Sequence, residues 1–354
     1  MKKGGRRSVT AIQSMLNERG VMGLCSREIM LETVLREEYG FMPPLPDAVS
    51  FEEGEREIIA GGAAEMTRVT IRTVIGGKAF AFPIVRTMPV EGDRLPFFVM
   101  INFRPEVPDK YLPAETIVRR GFAVLSVCYE DVTSDDGDFT DGLAVILYPD
   151  GRRGPHDAGK IAMWAWAAHR VMDYALTLDR LDPARGTVCG HSRLGKTALL
   201  AAATDTRFAS AYSNDSGCSG AALARGTKGE TVKNICERFP FWFCENYLQY
   251  AGREKSMPFD QHWLMACIAP RYLAVGSAME DAWADPASEF LGCCAASPMW
   301  QAHGLPGLVT ADDIPVSPEA RHEGCIGYHL RAGVHFFHEE DWQRLMDFVE
   351  KHLP

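Results

Sequence analysis

The sequence predicts an α/β domain: a doubly wound, mainly parallel β-sheet in a three-layer sandwich, with an antiparallel hairpin near the N-terminus. Three observations predict it. Short apolar runs alternate with segments whose apolar residues recur every three or four positions, as strands alternating with covering helices do. The runs are nearly continuously apolar, which suits strands buried on both faces. The 354-residue chain is 46% apolar and 24% charged, an ordinary globular composition with enough apolar side chains for a large core.

The elements follow in order. Residues 1–25 begin "MKKGGRRSVTAIQSMLNERG", a basic stretch without the apolar run and small-residue cleavage site of a secretory leader. We read it as a solvated arm, and residues 26–354 as one domain. Ser26 precedes "REIMLETVLREEY" and Gly40 follows it, so a helix is expected there. "FMPPLPDAV" ends that helix. "EMTRVTIRTVI" and "KAFAFPIVRTM" alternate in part and flank Gly76-Gly77, as a hairpin should. Strands are then expected in "LPFFVMINF", "FAVLSVCYEDV", "GTVCGHS", "FASAYSND" and "RYLAVGSAM". Helical spacing appears in "GKIAMWAWAAHRVMDYAL", through Ile161, Trp164, Ala168, Val171 and Ala175. It returns in "DWQRLMDFVEKHL", through Trp342, Leu345, Met346, Val349 and Leu353. The segment at about 217–262 is rich in Gly, Glu, Phe and Trp. It reads as a lid or binding insertion between two strands.

Bulk properties narrow the function. The formal net charge is −10, against a nucleic-acid footprint. No apolar run reaches the roughly 20 residues that span a bilayer. The ten cysteines include no C-x-x-C pair, so neither a zinc nor a redox framework is visible. A reducing, cytoplasmic location is the expectation, although a chain trimmed of its leader would look the same.

Residues 189–197, "CGHSRLGKT", fit two motifs. From Gly190 they satisfy G-x-x-x-x-G-K-[ST], a phosphate-cradling loop that would bring a nucleotide and magnesium. Around Ser192 they approach G-x-S-x-G, the nucleophile elbow of the α/β-hydrolases, which needs no cofactor. Phosphate loops follow the first strand of their domain and have small interiors. This motif follows at least four strand-like runs and holds Arg193 and Leu194. The elbow needs a strand, a sharp turn and a helix, and "GTVCGH" and "RLGKTALLAAAT" supply them. It also needs an acid and then a histidine downstream. Glu280, Asp281 and Asp285 follow one strand-like run, and His329, His335 and His338 precede the last helix. The glycine expected two residues after the serine is absent; Leu194 stands there and Gly195 comes one later.

"GHSRLGK" resembles the G-C-S-R-x-G-K motif of glucuronoyl esterases, carbohydrate esterase family 15, in which the shifted glycine is normal. "NDSGCSGAALAR", "ERFPFWF", "FDQHWLMACIAPRYLAV", "EDAWADP" and "GYHLRAGVH" resemble further blocks in the family's order. The resemblance covers roughly residues 27–353. It implies Ser192 as nucleophile and His335 as base. It admits two places for the acid: Asp281, after a late strand, and Asp215, where fungal members carry a Glu. Asp281 is preferred. The resemblance makes Arg193 an oxyanion donor through its backbone N–H and its side chain. It makes Lys196, Trp283, Glu230 and Glu237 contacts to the sugar. Trp242 and Phe243 are read as an aromatic wall or as core.

Three departures bear on substrate. His191 stands where the family has Cys, and Phe336 follows His335, so the disulfide of fungal members cannot form. "RPEVPDK" after "VMINF" lacks the glycine expected near a second oxyanion donor. The expected activity is a cofactor-free serine carbohydrate esterase. Its partners would be plant cell-wall saccharide esters, with esters of glucuronic or 4-O-methylglucuronic acid favoured over acetylated xylo-oligosaccharides. A nucleotide hydrolase and a non-catalytic sugar-binding protein are the alternatives from other classes.

Overall fold

The structure is a computed structural model that describes residues 10–353. Its strands are β1 (Ala48–Ile59), β2 (Ala64–Ile75), β3 (Lys78–Pro89), β4 (Leu95–Asn102), β5 (Ala123–Cys128), β6 (Leu181–His191), β7 (Ser210–Asn214), β8 (Tyr272–Ala278), β9 (Glu319–Arg321) and β10 (Ile326–Arg331). They form one sheet in the order β1-β2-β3-β5-β4-β6-β7-β8-β10-β9. From β5 to β10 every pairing is parallel; β1, β2, β3 and β9 join antiparallel. This is the expected mainly parallel sheet of the α/β-hydrolase fold, and the hairpin is its N-terminal wing. Gly76 and Gly77 both have positive φ, 55° and 77°, which a two-residue hairpin turn of the right twist requires.

β4 shows why its sequence is apolar throughout. Phe98 and Met100 pack on one face with Trp342, Leu345 and Met346 of the helix Glu339–His352. Phe97, Val99 and Ile101 pack on the other with the helix Lys160–Ala175. Alternate side chains point to opposite faces, so a strand covered on both sides needs apolar residues at every position. The helices Lys160–Ala175 and Arg193–Thr204 share that second face. No described helix is long and apolar enough to cross a membrane.

Three features differ from expectation. β1 was not expected; "AVSFEEGEREII" is acidic and mostly exposed, and it is paired only along one edge with β2, so its pattern carries little apolar signal. β10 was hidden in the histidine-rich block, because Tyr328, His329 and Arg331 are buried polar groups that each bond a tertiary partner. The arm 1–25 is not solvated throughout. Ala11–Arg19 is a helix capped by Thr10, with Ile12 and Leu16 buried. The Asp312 carboxylate accepts from the Ala11 and Ile12 N–H groups at 2.7 and 3.0 Å. The i, i+4 pair of Ile12 and Leu16 gives that helix an apolar stripe to bury. Residues 1–9 lie outside the described residues.

The segment 217–262 has no strand and carries short helical turns, including Val232–Arg238. One of its anchors is Glu38, fully buried beneath it and accepting from Gln261 Nε2 at 3.1 Å on both oxygens. Burial pushes this carboxyl up to about 8, against the lowering effect of its hydrogen bonds. A carboxyl raised on folding contributes stability below its unfolded value of 4.5, and that contribution is lost as pH rises through the folded value. We expect the melting temperature to fall between about pH 5 and pH 8.5, and Glu38→Gln to lessen that fall. Equal falls in both proteins would show that Glu38 does not titrate in this window.

Candidate active site

The site is built at the C-terminal ends of the parallel strands. β6 ends at His191, and the helix Arg193–Thr204 starts two residues later. Ser192 is the turn between them, with φ 57° and ψ −125°. A non-glycine residue with positive φ is strained, and such strain collects at functional sites. Gly190 makes the turn sterically feasible: a Cβ there would lie 2.3 Å from the Leu194 carbonyl oxygen. Gly195 explains the shifted glycine. A Cβ there would meet Ser213 Oγ at 3.0 Å and Ser216 Cβ at 3.1 Å, so the helix passes close over the end of β7. Ser192 stands at the helix cap position, yet its side chain makes no capping bond. Its hydroxyl is not spent on the fold.

His335 is half-exposed, and its Nδ1 lies 2.5 Å from Asp281 Oδ2. Asp281 is buried, and its Oδ1 accepts from the Ala284 N–H at 3.1 Å. Burial opposes ionisation of this carboxyl, but the hydrogen bond and charge of His335 hold it below its ordinary range. Asp215 is also near: one oxygen of each acid and one His335 nitrogen lie within 4.8 Å of one another. Its own bonds go elsewhere, to the Ala278 N–H at 2.7 Å and Arg331 Nη2 at 3.4 Å. Burial, with Glu289, Asp341 and Asp281 nearby, pushes the Asp215 carboxyl well up. His329 is buried against Asp341 at 2.9 Å, and His338 caps the last helix. Both are structural histidines.

His191 lies beneath His335 with ring centroids 4.4 Å apart. Its Nδ1 bonds Asn214 Oδ1 at 2.7 Å. Burial and the neighbouring His335 push His191 down to about 3, so it is a neutral ring at working pH. Tyr111 packs on both His191 and Phe336, at 5.8 and 5.1 Å. Aromatic packing thus occupies the place where fungal relatives carry a disulfide, and all ten cysteines here are free.

The Arg193 N–H is the first of its helix and has no intrahelical carbonyl to bond. The Arg193 side chain pairs with Asp135 through Nη1, while its buried Nε has no partner among the described residues. The Phe103 N–H, first past the end of β4, is taken by Asn102 Oδ1 at 2.8 Å.

Two cavities meet at Ser192, Arg193 and His335. The first, of about 350 Å³, is lined by Lys196, Glu230 and Trp283, together with Asp215, Asp281 and Trp242. Lys196 is buried and its ammonium donates to the Ser216 carbonyl. The Glu230 N–H donates to the Trp283 carbonyl at 2.8 Å, which fixes these two neighbours together. The second cavity, of about 370 Å³, has Phe103, Tyr111 and Tyr129 with Arg104 and Lys110. Thr197 Oγ1 donates within its own helix to the Arg193 carbonyl at 2.9 Å, and Asp281 is engaged by His335.

One expected contact is not there. Glu237 is 61% exposed and faces Lys233 at 3.8 Å; it is not in the cavity wall. A helical residue is rotated about 100° from the next, and it is Arg238, followed by Phe239, that lines the cavity. Trp242 is wall, whereas Phe243 is core against Tyr39 and Tyr247. Sequence reasoning missed Asp135, Arg238 and Phe239. Asp135 sits among six acidic residues between Glu130 and Asp141, and nothing local distinguishes it.

A doubly wound sheet with an uncapped serine at a strained elbow and a histidine–aspartate pair beside it is the arrangement of the α/β-hydrolase class. The sequence model described as "Glucuronyl esterase, fungi" matches residues 71–304. A glucuronoyl esterase structure from Solibacter usitatus superposes with a TM-score of 0.84 at 32% identity, covering 92% of this chain and 91% of that one. Carbohydrate esterase MZ0003, from an unknown prokaryotic organism, is 40% identical over 68% of this chain and 55% of its own length. The 4-O-methyl-glucuronoyl methylesterase of Hypocrea jecorina is 29% identical over 93% of this chain and 65% of its own. The chain thus spans between half and two-thirds of these two relatives. It belongs to the glucuronoyl esterase family, carbohydrate esterase family 15.

The His191 stack yields a prediction. An aromatic pair is worth about 1 kcal/mol, so His191→Ala should lower kcat roughly fivefold with little change in KM. An unchanged kcat in the folded variant would show that the stack does not hold His335.

Proposed function

We propose that this chain hydrolyses esters of glucuronic or 4-O-methylglucuronic acid in xylan-derived plant cell-wall saccharides, through an acyl-serine intermediate. The observation that carries the reading is the polar cavity of Lys196, Glu230 and Trp283 opening onto Ser192, in a chain of this family.

In this reading Ser192 Oγ attacks the ester carbonyl while His335 Nε2 takes its proton. A hydroxyl is a weak nucleophile until a base does so. Asp281 holds the imidazole by Nδ1–H and stabilises its charged form. The oxyanion is met by the Arg193 N–H and guanidinium; with the Phe103 N–H already bonded, the side chain carries a larger share. The sugar acid occupies the first cavity, where the buried Lys196 and Glu230 present a donor and an acceptor to hydroxyl groups. The alcohol leaves through the second cavity with the proton from His335. Water activated by the same histidine then attacks the acyl-serine and releases the uronic acid.

The test is acid release from benzyl glucuronate. Wild type should turn over, and Ser192→Ala should lose several orders of magnitude. Asp281→Asn should lose on the order of 10³–10⁴ in kcat, as a histidine left without its orienting acid does. Asp215→Asn should remain within about tenfold, because the Asp215 oxygens bond Ala278 and Arg331 and do not hold His335. Release of acetate from acetylated xylo-oligosaccharides, with benzyl glucuronate untouched, would overturn the uronate reading. The reverse order of the two acid variants would place the triad acid at Asp215.

A further inference from the structure

We propose that Asp135 is a positioning residue for the reaction: its carboxylate ties the Arg193 guanidinium to the Trp242 indole, setting the oxyanion donor and the cavity wall with one group. The inference rests on the reading of Arg193 as an oxyanion donor.

The geometry is specific. Asp135 lies in the turn that follows β5 and its side chain is nearly buried. One oxygen, Oδ2, receives Arg193 Nη1 and the Tyr129 hydroxyl, the latter at 3.0 Å. The other, Oδ1, receives Trp242 Nε1 at 2.6 Å. Trp242 comes from the insertion, and Arg193 from the elbow. The carboxylate therefore joins the elbow to the insertion. The guanidinium carbon lies 4.7 Å from the Trp242 ring centroid, and 5.6 Å from each of Phe103 and Phe239. A cation among three rings gains attraction from their faces, but those faces do not fix its rotation. The charge-assisted bond to Asp135 does.

The turn itself is held firmly. Lys160 is fully buried, and its ammonium donates to Thr133 Oγ1 at 2.8 Å and Ser134 Oγ at 3.1 Å, just before Asp135. A donor acts best on a developing oxyanion when it is aimed beforehand, with no reorganisation during the reaction. Arg193 Nε is unpartnered but buried, so Nη2, which has no partner among the described residues, is the donor that this arrangement leaves available. The bond to Trp242 has a second effect. It occupies the indole N–H, so Trp242 offers the cavity a ring face and no donor.

The test uses the rate of phosphonylation of Ser192 by a fluorophosphonate probe, which forms a charged oxygen at the same place without needing the sugar. Wild type, Asp135→Asn, Arg193→Ala and the double variant are compared, with thermal melts to verify folding. An amide accepts through its oxygen alone, so either the Arg193 bond or the Trp242 bond is lost, and the one that remains loses its charge. We expect Asp135→Asn to slow labelling by one to two orders of magnitude, less than the about 10²–10³ of a removed oxyanion donor, because Arg193 is misaimed and not removed. The double variant should be no slower than Arg193→Ala to within about twofold, because Asp135 acts through Arg193. Labelling of Asp135→Asn at the wild-type rate, or losses that multiply in the double variant, would overturn the proposal. If Asp135→Asn fails to fold, Asp135→Glu keeps the charge but displaces it, and the same two outcomes decide. A labelled wild type that spares benzyl glucuronate would sink the uronate reading alone. A wild type that is not labelled would overturn both.

Discussion

The site depends on one backbone constraint, the positive φ of Ser192 between the end of β6 and the helix Arg193–Thr204. That turn throws the hydroxyl clear of both elements and leaves the Arg193 N–H at the open end of a helix. Its cost is met by the packing around it. The Ser192 N–H bonds the Asn214 carbonyl at 2.8 Å, which continues the β6–β7 pairing into the turn. Gly190 and Gly195 let two backbones approach where a side chain would collide. The sheet, in turn, holds that pairing rigid because both of its faces are covered. A strained residue persists only where its surroundings over-determine it, and here they do.

The second feature is how charge is handled behind the elbow. Asp281, Asp215, Glu289 and Asp341 are all buried close together. Unpaired carboxylates in such a place would be costly. Arg331 bonds Asp341 at 2.6 Å and Asp215 at 3.4 Å, and His329 takes the other Asp341 oxygen. Glu289 accepts from Ser277 Oγ at 2.5 Å and the Gly217 N–H at 2.9 Å, and burial pushes it up to about 7. Asp281 is the member of this group that faces His335. The acids behind it brace the strand ends, and the charges of Glu289, Asp341 and Asp281 help burial to raise Asp215, so the pair that faces the cavity stands on a hydrogen-bonded polar base.

Aromatic rings pack on both sides of the elbow. His191, Tyr111 and Phe336 pack together beneath His335, and Trp242, Phe239 and Phe103 surround Arg193. The two groups of rings border the two cavities that meet at the serine. Ring packing holds position by area and shape, without the redox dependence of a covalent bridge. That suits a chain in which every cysteine is a free thiol.

Much of this was legible in the chain itself. Apolar runs and helical spacings are local consequences of burial, so the parallel strands and the two long helices could be read directly. The elbow was legible because its turn demands Gly190, Ser192 and a helix start in adjacent positions. His335 and Asp281 could be named as candidates because each follows a late element in the expected order. The preference for Asp281 over Asp215 rested on chain order alone. Both stand past a strand end, and only the path of the loop around Ala284 aims Asp281 at the histidine. Sequence position says nothing of a side chain's rotation about its helix, and in the structure Arg238 and Phe239, not Glu237, line the wall. Asp135 lay unmarked in an acidic run, since its partners are 58 and 107 residues away. Residue types and local spacing thus determined the fold class and the chemistry on offer. Tertiary structure alone decided which acid, which arginine partner and which wall, because those depend on contacts between segments with no local signature.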